Sequence, residues 1–120
     1  MREYIYRIWN KKEKRYIMTA SLYGCEGVTH LSQAFNREEV DIEEYTGLND
    51  IKGNKIFEND IIDFICKHKQ VEPVPVVYYS GSYGCFINDN GFREFLLLSD
   101  IVNQYYPKIA ATIHDDDLVP

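Results

Sequence analysis

The sequence is poor in the residues that build disulfide frameworks and metal sites, and it has no long apolar run. Three cysteines and three histidines occur in 120 residues. An odd number of widely spaced cysteines does not supply the paired bridges of a disulfide scaffold, and it fits a compartment in which thiols stay reduced. There is no signal-peptide pattern and no apolar segment of membrane-spanning length. We therefore expect a soluble, cytoplasmic protein with no membrane partner.

Basic residues are also few. Thirteen Lys and Arg stand against nineteen Asp and Glu, which gives a formal net charge of −6. Duplex DNA binding needs cations that neutralise phosphates, so duplex nucleic acid is not an expected partner. The charges are unevenly spread, because residues 2–16 carry a net charge of +4 and residues 38–63 a net charge of −7. This split could pair one subunit with another, although most of these charges also fit a solvated hairpin tip and a solvated loop.

Aromatic residues are abundant, with ten Tyr, six Phe and one Trp. They favour β-sheets and contact surfaces. Residues 4–9 and 15–19 alternate in side-chain character around a polar turn at 10–14, which predicts a β-hairpin. Further along, Val40, Ile42 and the aliphatic part of Glu44 should share one face of a strand.

The second half of the chain predicts a three-stranded meander. Prolines within 71–75 indicate that this segment is either a sheet edge or a stretch before the strand. Residues 76–79 form a firmer strand signal, and Asn-Gly at 90–91 predicts a tight hairpin between strands at 85–87 and 92–98.

Three more segments have weaker patterns. Residues 32–39 fit either a helical turn or a loop. Residues 99–105 predict a short helix capped by Ser99 or Asp100. Residues 108–114 predict a last strand.

The stretch EYTGLNDIKGNKIFENDIIDF, residues 44–64, places two strand signals around a long turn. Gly47 is expected to end the first strand, because glycine breaks an extended run. Asn59 and Asp60 form a tight-turn pair, in which Asn59 tolerates a positive φ and the Asp60 carboxylate accepts backbone N–H groups. A buried central strand then follows at 61–66.

This stretch resembles the hallmark of the YopX family of phage and prophage proteins. Glu44, Asn49, Phe57 and Asn59 depart from the family pattern, which has Gln, Lys, Tyr and Gly there. Segments 7–11, 34–39 and 109–118 are similar as well. The resemblance implies a small, β-rich and often oligomeric protein of the host-cell cytoplasm, with no assigned activity and no catalytic residues. The matching positions, for which we expect structural roles, are Tyr45, Thr46, Gly47, Leu48, Asp50, Gly53, Ile56, Glu58, Asp60 and Ile61; Lys55 also matches.

Candidate chemistry is sparse. Cys25 with His30, and Cys66 with His68, could supply two pairs of metal ligands, but their spacings do not match zinc sites, and a cysteine is readily buried without function. Glu58, Asp60 and Asp63 could instead hold a cation or act as acid and base; the turn role of Asp60 is the simpler reading. No nucleophile elbow or phosphate-binding glycine loop occurs. We therefore expect no catalytic residue, no cofactor and no bound metal.

Taken together, the patterns predict an all-β single domain over residues 1–120. A hairpin and connecting region, 1–48, should pack on a small SH3-like barrel at 49–114, followed by a loose tail at 115–120. We expect a non-enzymatic module that self-associates as a homo-oligomer or binds a host or phage protein. The alternatives are a single-stranded nucleic-acid-binding barrel and a metal-dependent hydrolase. The tyrosines assigned either to the core rim or to an interaction surface are Tyr78, Tyr79, Tyr83, Tyr105 and Tyr106.

Overall fold

The computed structural model describes residues 3–23, 35–66, 69–89 and 91–115. Strands dominate these residues, which confirms the all-β class. No helix in the described part of the chain is long and apolar enough to cross a membrane. The elements are β1 (Glu3–Asn10), β2 (Arg15–Tyr23), β3 (Val40–Asn49), β4 (Lys55–Phe57), β5 (Asp60–Asp63), β6 (Ile65–Cys66), β7 (Lys69–Gln70), β8 (Val74–Pro75), β9 (Val77–Tyr79), β10 (Ser82–Asp89), β11 (Phe92–Leu97), α1 (Leu98–Tyr105) and β12 (Lys108–Thr112).

The first sheet has four strands in the order β2-β1-β3-β4. The predicted hairpin of β1 and β2 is confirmed, and its turn is held by the Asn10 side chain, which accepts the backbone N–H groups of Lys12 and Glu13. β1 and β3 pair antiparallel, with Arg7 opposite Glu43 and Ile8 opposite Ile42. Since side chains alternate along a strand, Arg7 and Glu43 share one face of this sheet.

The remaining strands form smaller sheets. β9, β10 and β11 make the predicted meander, in the order β11-β10-β9. β5 lies between β12 and β8, and β6 pairs with β7. The prolines of residues 71–75 lie next to or within β8, an edge strand, as their missing N–H groups predicted. The described strands are not closed into a barrel, so the SH3-like barrel remains unconfirmed.

Two apolar clusters fill the molecule. The larger joins β4–β6, β10 and α1, and the smaller lies on one face of the four-stranded sheet. Burial of this apolar area is the main stabilising term in such a fold. The buried members of the larger cluster are Ile56, Ile62, Phe64, Cys66, Val76, Cys85, Ile87, Leu98 and Ile101, and those of the smaller are Tyr6, Ile8 and Val40.

Three local predictions were wrong. The strand expected at 61–66 is divided at Phe64 into β5 and β6, which belong to different sheets. β3 continues through Gly47, which adopts a φ of 87° while the register with β4 shifts between Tyr45 and Asn49. The glycine therefore makes a bulge in the strand and does not end it. The helix α1 begins one residue earlier than expected, after Leu97, and no side chain caps it.

Gly84 on β10 marks a close approach of two strands. A Cβ built there would overlap the carbonyl oxygen of Leu96 and would lie 2.6 Å from the Phe95 ring. We expect Gly84→Ala to lower the free energy of unfolding by about 1–3 kcal/mol, because the β11 backbone must move. Urea unfolding measures this change in the free energy of unfolding. Ser82→Ala on the same strand is the control and should stay within about 0.5 kcal/mol; equal losses in both variants would contradict the reason given.

Candidate functional site

A buried polar network lies where the four-stranded sheet meets the rest of the molecule. Its centre is Glu43 of β3, whose exposed fraction is 0 %. Oε1 of Glu43 accepts hydrogen bonds from Arg7 Nε and from the Tyr16 hydroxyl, each at 2.7 Å. Oε2 accepts from Asn59 Nδ2 at 2.8 Å and lies 2.8 Å from His114 Nε2. One carboxylate thus joins β1, β2, the turn before β5 and the segment after β12.

Arg7 extends the network to a second buried carboxylate. Its Nη2 lies 2.8 Å from Asp60 Oδ1, and its guanidinium is flanked by the rings of Tyr16 and Phe57 at 4.5 and 4.7 Å. Burial alone would lower the pKa of Arg7, but the charges of Asp60 and Glu43 outweigh it and raise that pKa. Arg7 therefore stays a cation and compensates two buried acids.

Asp60 has the predicted role in its turn. It also pairs with Arg7, which the sequence did not indicate. Its Oδ2 accepts the backbone N–H of Phe57 at 2.8 Å, which confirms the turn-holding role. Asn59 has a φ of 72°, as predicted. Burial raises the pKa of Asp60 in spite of the Phe57 and Arg7 contacts, because removal of water disfavours the charged carboxylate.

Aromatic rings close the network against water. Trp9 stacks on His114, with ring centroids 4.2 Å apart and planes 8° from parallel, and Tyr16 packs edge-on against Trp9. Burial and the Glu43 carboxylate raise the pKa of Tyr16, so its hydroxyl remains a donor. The His–carboxylate pair superficially resembles acid–base machinery. However, a substrate has no access to a carboxylate that is fully covered, so the arrangement supports a structural role. We call this network the clamp; its members are Arg7, Tyr16, Glu43, Asn59, Asp60 and His114.

Other residues of the family motif hold the bulge in β3 and the long turn that follows it. The Thr46 hydroxyl donates to the carbonyl of Ile56 at 2.7 Å and so spans the bulge in β3. Asp50 accepts the backbone N–H groups of Lys52, Asn54 and Ile109, which ties the long turn to β12. Burial opposes ionisation of Asp50, but these hydrogen bonds outweigh it and lower its pKa.

The carboxylates considered as a metal or acid–base site do not share partners. Asp60 faces Arg7, whereas Asp63 is bonded by Gln70 and lies 4.0 Å from Lys108. Within the ranges that the structure covers, no group of three His, Cys, Asp or Glu side chains could hold a metal ion. Cys66 is buried with a free thiol. The other proposed ligands, Cys25, His30 and His68, lie outside the described residues.

An open groove lies at the side of the clamp, between β1, β3 and the turn from β9 to β10. Its volume is about 520 Å³. Tyr6, Tyr78 and Tyr83 supply rings, and Glu44 and Glu58 supply carboxylates. Burial and the charges of Glu43 and Glu44 raise the pKa of Glu58.

The five tyrosines singled out from the sequence lie in three places. Tyr78 and Tyr83 line the groove, with ring centroids 5.1 Å apart. Tyr79 lies on the opposite face of its sheet, against Phe86 and Phe95. Tyr105 stacks on Phe64, and with Tyr106 it borders a second depression of about 490 Å³.

Comparison with known proteins assigns the chain to a family. A family model described as YopX protein matches residues 5–116. The chain belongs to the YopX family. Among solved structures, this YopX-family fold is similar to the "Crystal structure of protein EF1440 from Enterococcus faecalis", with a TM-score of 0.58, 18 % identity and 95 % of each chain covered. That likeness extends to the fold alone. No curated protein matches the chain.

Four residues of the clamp in this YopX-family protein were not singled out from its sequence. Arg7, Tyr16 and Glu43 were expected in strands and His114 at the end of the last strand, and Arg7 and His114 also lie in segments similar to the family. The available signal was a charged residue between apolar neighbours, as at Arg7 between Tyr6 and Ile8. That signal identifies a buried charge only when its partner is known, and the partners are far away in the sequence.

Glu43 can be tested by removal of its charge. Glu43→Gln should lower the free energy of unfolding by about 3–5 kcal/mol, because it leaves Arg7 buried with one counter-charge fewer. Chemical denaturation measures the loss. Glu13→Gln in the turn of the first hairpin, whose carboxylate makes an exposed pair with Arg15, is the control and should cost less than about 1 kcal/mol. A Glu43→Gln protein as stable as the control would disprove the role of the clamp.

Removal of the charge of Glu58 should instead stabilise the protein. Its folded-state pKa is raised, so the ionised form lowers stability at neutral pH, and Glu58→Gln should raise the free energy of unfolding by about 0.5 kcal/mol at pH 7. The gain should shrink as pH falls through the folded-state pKa and disappear below the ordinary glutamate pKa of about 4.3. Thermal unfolding at several pH values tests this, with exposed Glu94→Gln as the control. A loss of stability at pH 7 would contradict it.

Proposed function

We propose that this YopX-family protein is a non-enzymatic module that acts by self-association. The observation that carries the proposal is the outer face of the β9–β10–β11 sheet, which we call the aromatic face. Tyr79, Phe86 and Phe95 form a mutual cluster there, with ring centroids 4.9–5.2 Å apart. The face also carries Leu97, and Tyr79 remains 53 % exposed.

The aromatic face has the composition of a contact surface. Clustered aromatic rings bury much apolar area at a small cost in side-chain entropy, and tyrosine is enriched at protein interfaces. The Arg93 guanidinium lies 4.3 Å from the Phe86 ring centroid and adds a polar margin. A second copy supplies the same apolar surface, so two such faces can stack about a two-fold axis.

The absence of an enzymatic role is part of the proposal. It is supported by the closure of the clamp, whose Glu43 and His114 side chains are covered, and by the separate partners of Asp60 and Asp63. A phage or host protein in the host-cell cytoplasm is the other partner that would fit the aromatic face. Its binding would show as a complex of defined mass in place of the self-associated species.

Self-association can be measured by light scattering coupled to size-exclusion chromatography over a range of protein concentrations. We expect a mass above that of the monomer, and we expect Tyr79→Ser to shift it towards the monomer, because the substitution removes the most exposed ring of the aromatic cluster. Tyr106→Ser is the matched control, since Tyr106 is 67 % exposed but lies away from the aromatic face. A monomer at every concentration, or equal effects of the two variants, would overturn the proposal.

A second candidate function rests on the same rings. Bases of a single strand stack on exposed aromatic side chains of a sheet, and the Arg93 guanidinium, 4.3 Å from the Phe86 ring centroid, places a cation beside these rings. Retention of a short oligonucleotide that weakens with salt would favour this function. No retention at low salt would remove it.

A further inference from the structure

We propose that the groove between β1, β3 and the β9–β10 turn binds an organic cation, namely the ammonium or guanidinium group of a basic side chain presented by a partner protein. The inference does not depend on the aromatic face, because the two surfaces lie on opposite faces of the β9–β10–β11 sheet. The residues that carry it are Tyr6, Tyr78, Tyr83, Glu44, Glu58 and Arg37.

The shape of the groove suits a side chain more than a bare metal ion. A volume of about 520 Å³ is within the range of sites for small organic groups. Tyr83 is half-buried and packs against the larger apolar cluster, so its ring is held by the core. Tyr78 meets it edge-on and is 58 % exposed, which places it at the rim.

The charge of the groove selects a cation. Glu44 and Glu58 both line it, and a backbone hydrogen bond of 2.9 Å from Glu58 N to Glu44 O joins β3 to the turn after β4. Arg37 is the one basic residue among the described lining residues. Burial and the neighbouring carboxylates Glu43 and Glu44 raise the pKa of Glu58, while Arg37 opposes the shift. A second cation in the groove would relieve this repulsion.

The charges of Glu44 and Glu58 also act on Tyr83. Burial and then the charges of Glu44 and Glu58 raise the pKa of its hydroxyl, so the phenol stays neutral. A neutral aromatic ring attracts a cation over its face, and carboxylates at the same site add direct pairing. Rings and carboxylates together recognise a basic side chain, whereas the carboxylates would repel an anion.

The test uses acetyl-Ala-Lys-Ala-amide and its arginine counterpart as probes, with acetyl-Ala-norleucine-Ala-amide as the uncharged control. Backbone amide resonances of the full-length protein are followed by NMR during titration. We expect a saturable shift at Glu44, Ser82 and Tyr83 with a charged probe and none with the norleucine peptide. Equal shifts with all three peptides, or no saturable shift with any of them, would overturn the proposal.

Variants separate the groove from other surfaces. Glu58→Gln should weaken binding of the charged probe about tenfold, because it removes a charge-assisted contact. It should keep the fold, so lost binding would not reflect unfolding. Tyr79→Ser on the aromatic face should bind the probe like the natural chain, and this holds whether or not self-association is found. An unchanged affinity of Glu58→Gln would count against the groove.

The source of the basic side chain can be distinguished in the same experiment. The exposed Lys12 and Lys14 at the tip of the first hairpin are candidates from a second copy. If a second copy supplies the cation, the groove resonances should depend on protein concentration, and Lys12→Ser with Lys14→Asn should abolish that dependence. Asn suits the φ of 56° at Lys14, so the turn is kept. Concentration-independent resonances that still respond to the charged probe assign the cation to a different protein.

Discussion

The Glu43 carboxylate is the constraint on which the rest of the structure depends. A charge without water is tolerated only where hydrogen-bond donors and an opposite charge surround it. Arg7, Tyr16, Asn59 and His114 meet that requirement from four separate parts of the chain. An apolar contact would allow the sheets to slide, whereas these directional bonds fix the orientation of the first sheet relative to the β5–β12 pair.

The groove and the clamp use neighbouring residues of β3 for different purposes. Glu43 faces inward, where its charge is fully compensated, and Glu44 faces the groove on the other side of the sheet. Glu58 in the groove carries a carboxylate whose ionisation is disfavoured. Groups with a perturbed pKa are often found at binding sites, because a ligand of opposite charge can stabilise their ionised form. The motif stretch therefore contributes to both a structural centre and a recognition surface.

Local patterns predicted the strands well, because side-chain alternation and turn residues act over short distances. The first hairpin, the meander, the edge position of β8 and the positive φ of Asn59 all follow from such patterns. The clamp could not be predicted, since Arg7 and His114 are brought together only by tertiary structure. The continuation of β3 through Gly47 was missed for a related reason, because pairing with β4 accommodates a bulge that glycine alone would not reveal.

The positions of the clamp residues along the sequence have a consequence for the order of folding. These residues extend from Arg7 to His114, and the stack of Trp9 on His114 pairs residues from nearly the two ends of the described chain. During synthesis the first hairpin can form early, but the Glu43 carboxylate lacks its His114 partner until the segment after the last strand emerges from the ribosome. Completion of the clamp is thus a late event, because bringing His114 to Glu43 closes a long segment of chain at a cost in entropy.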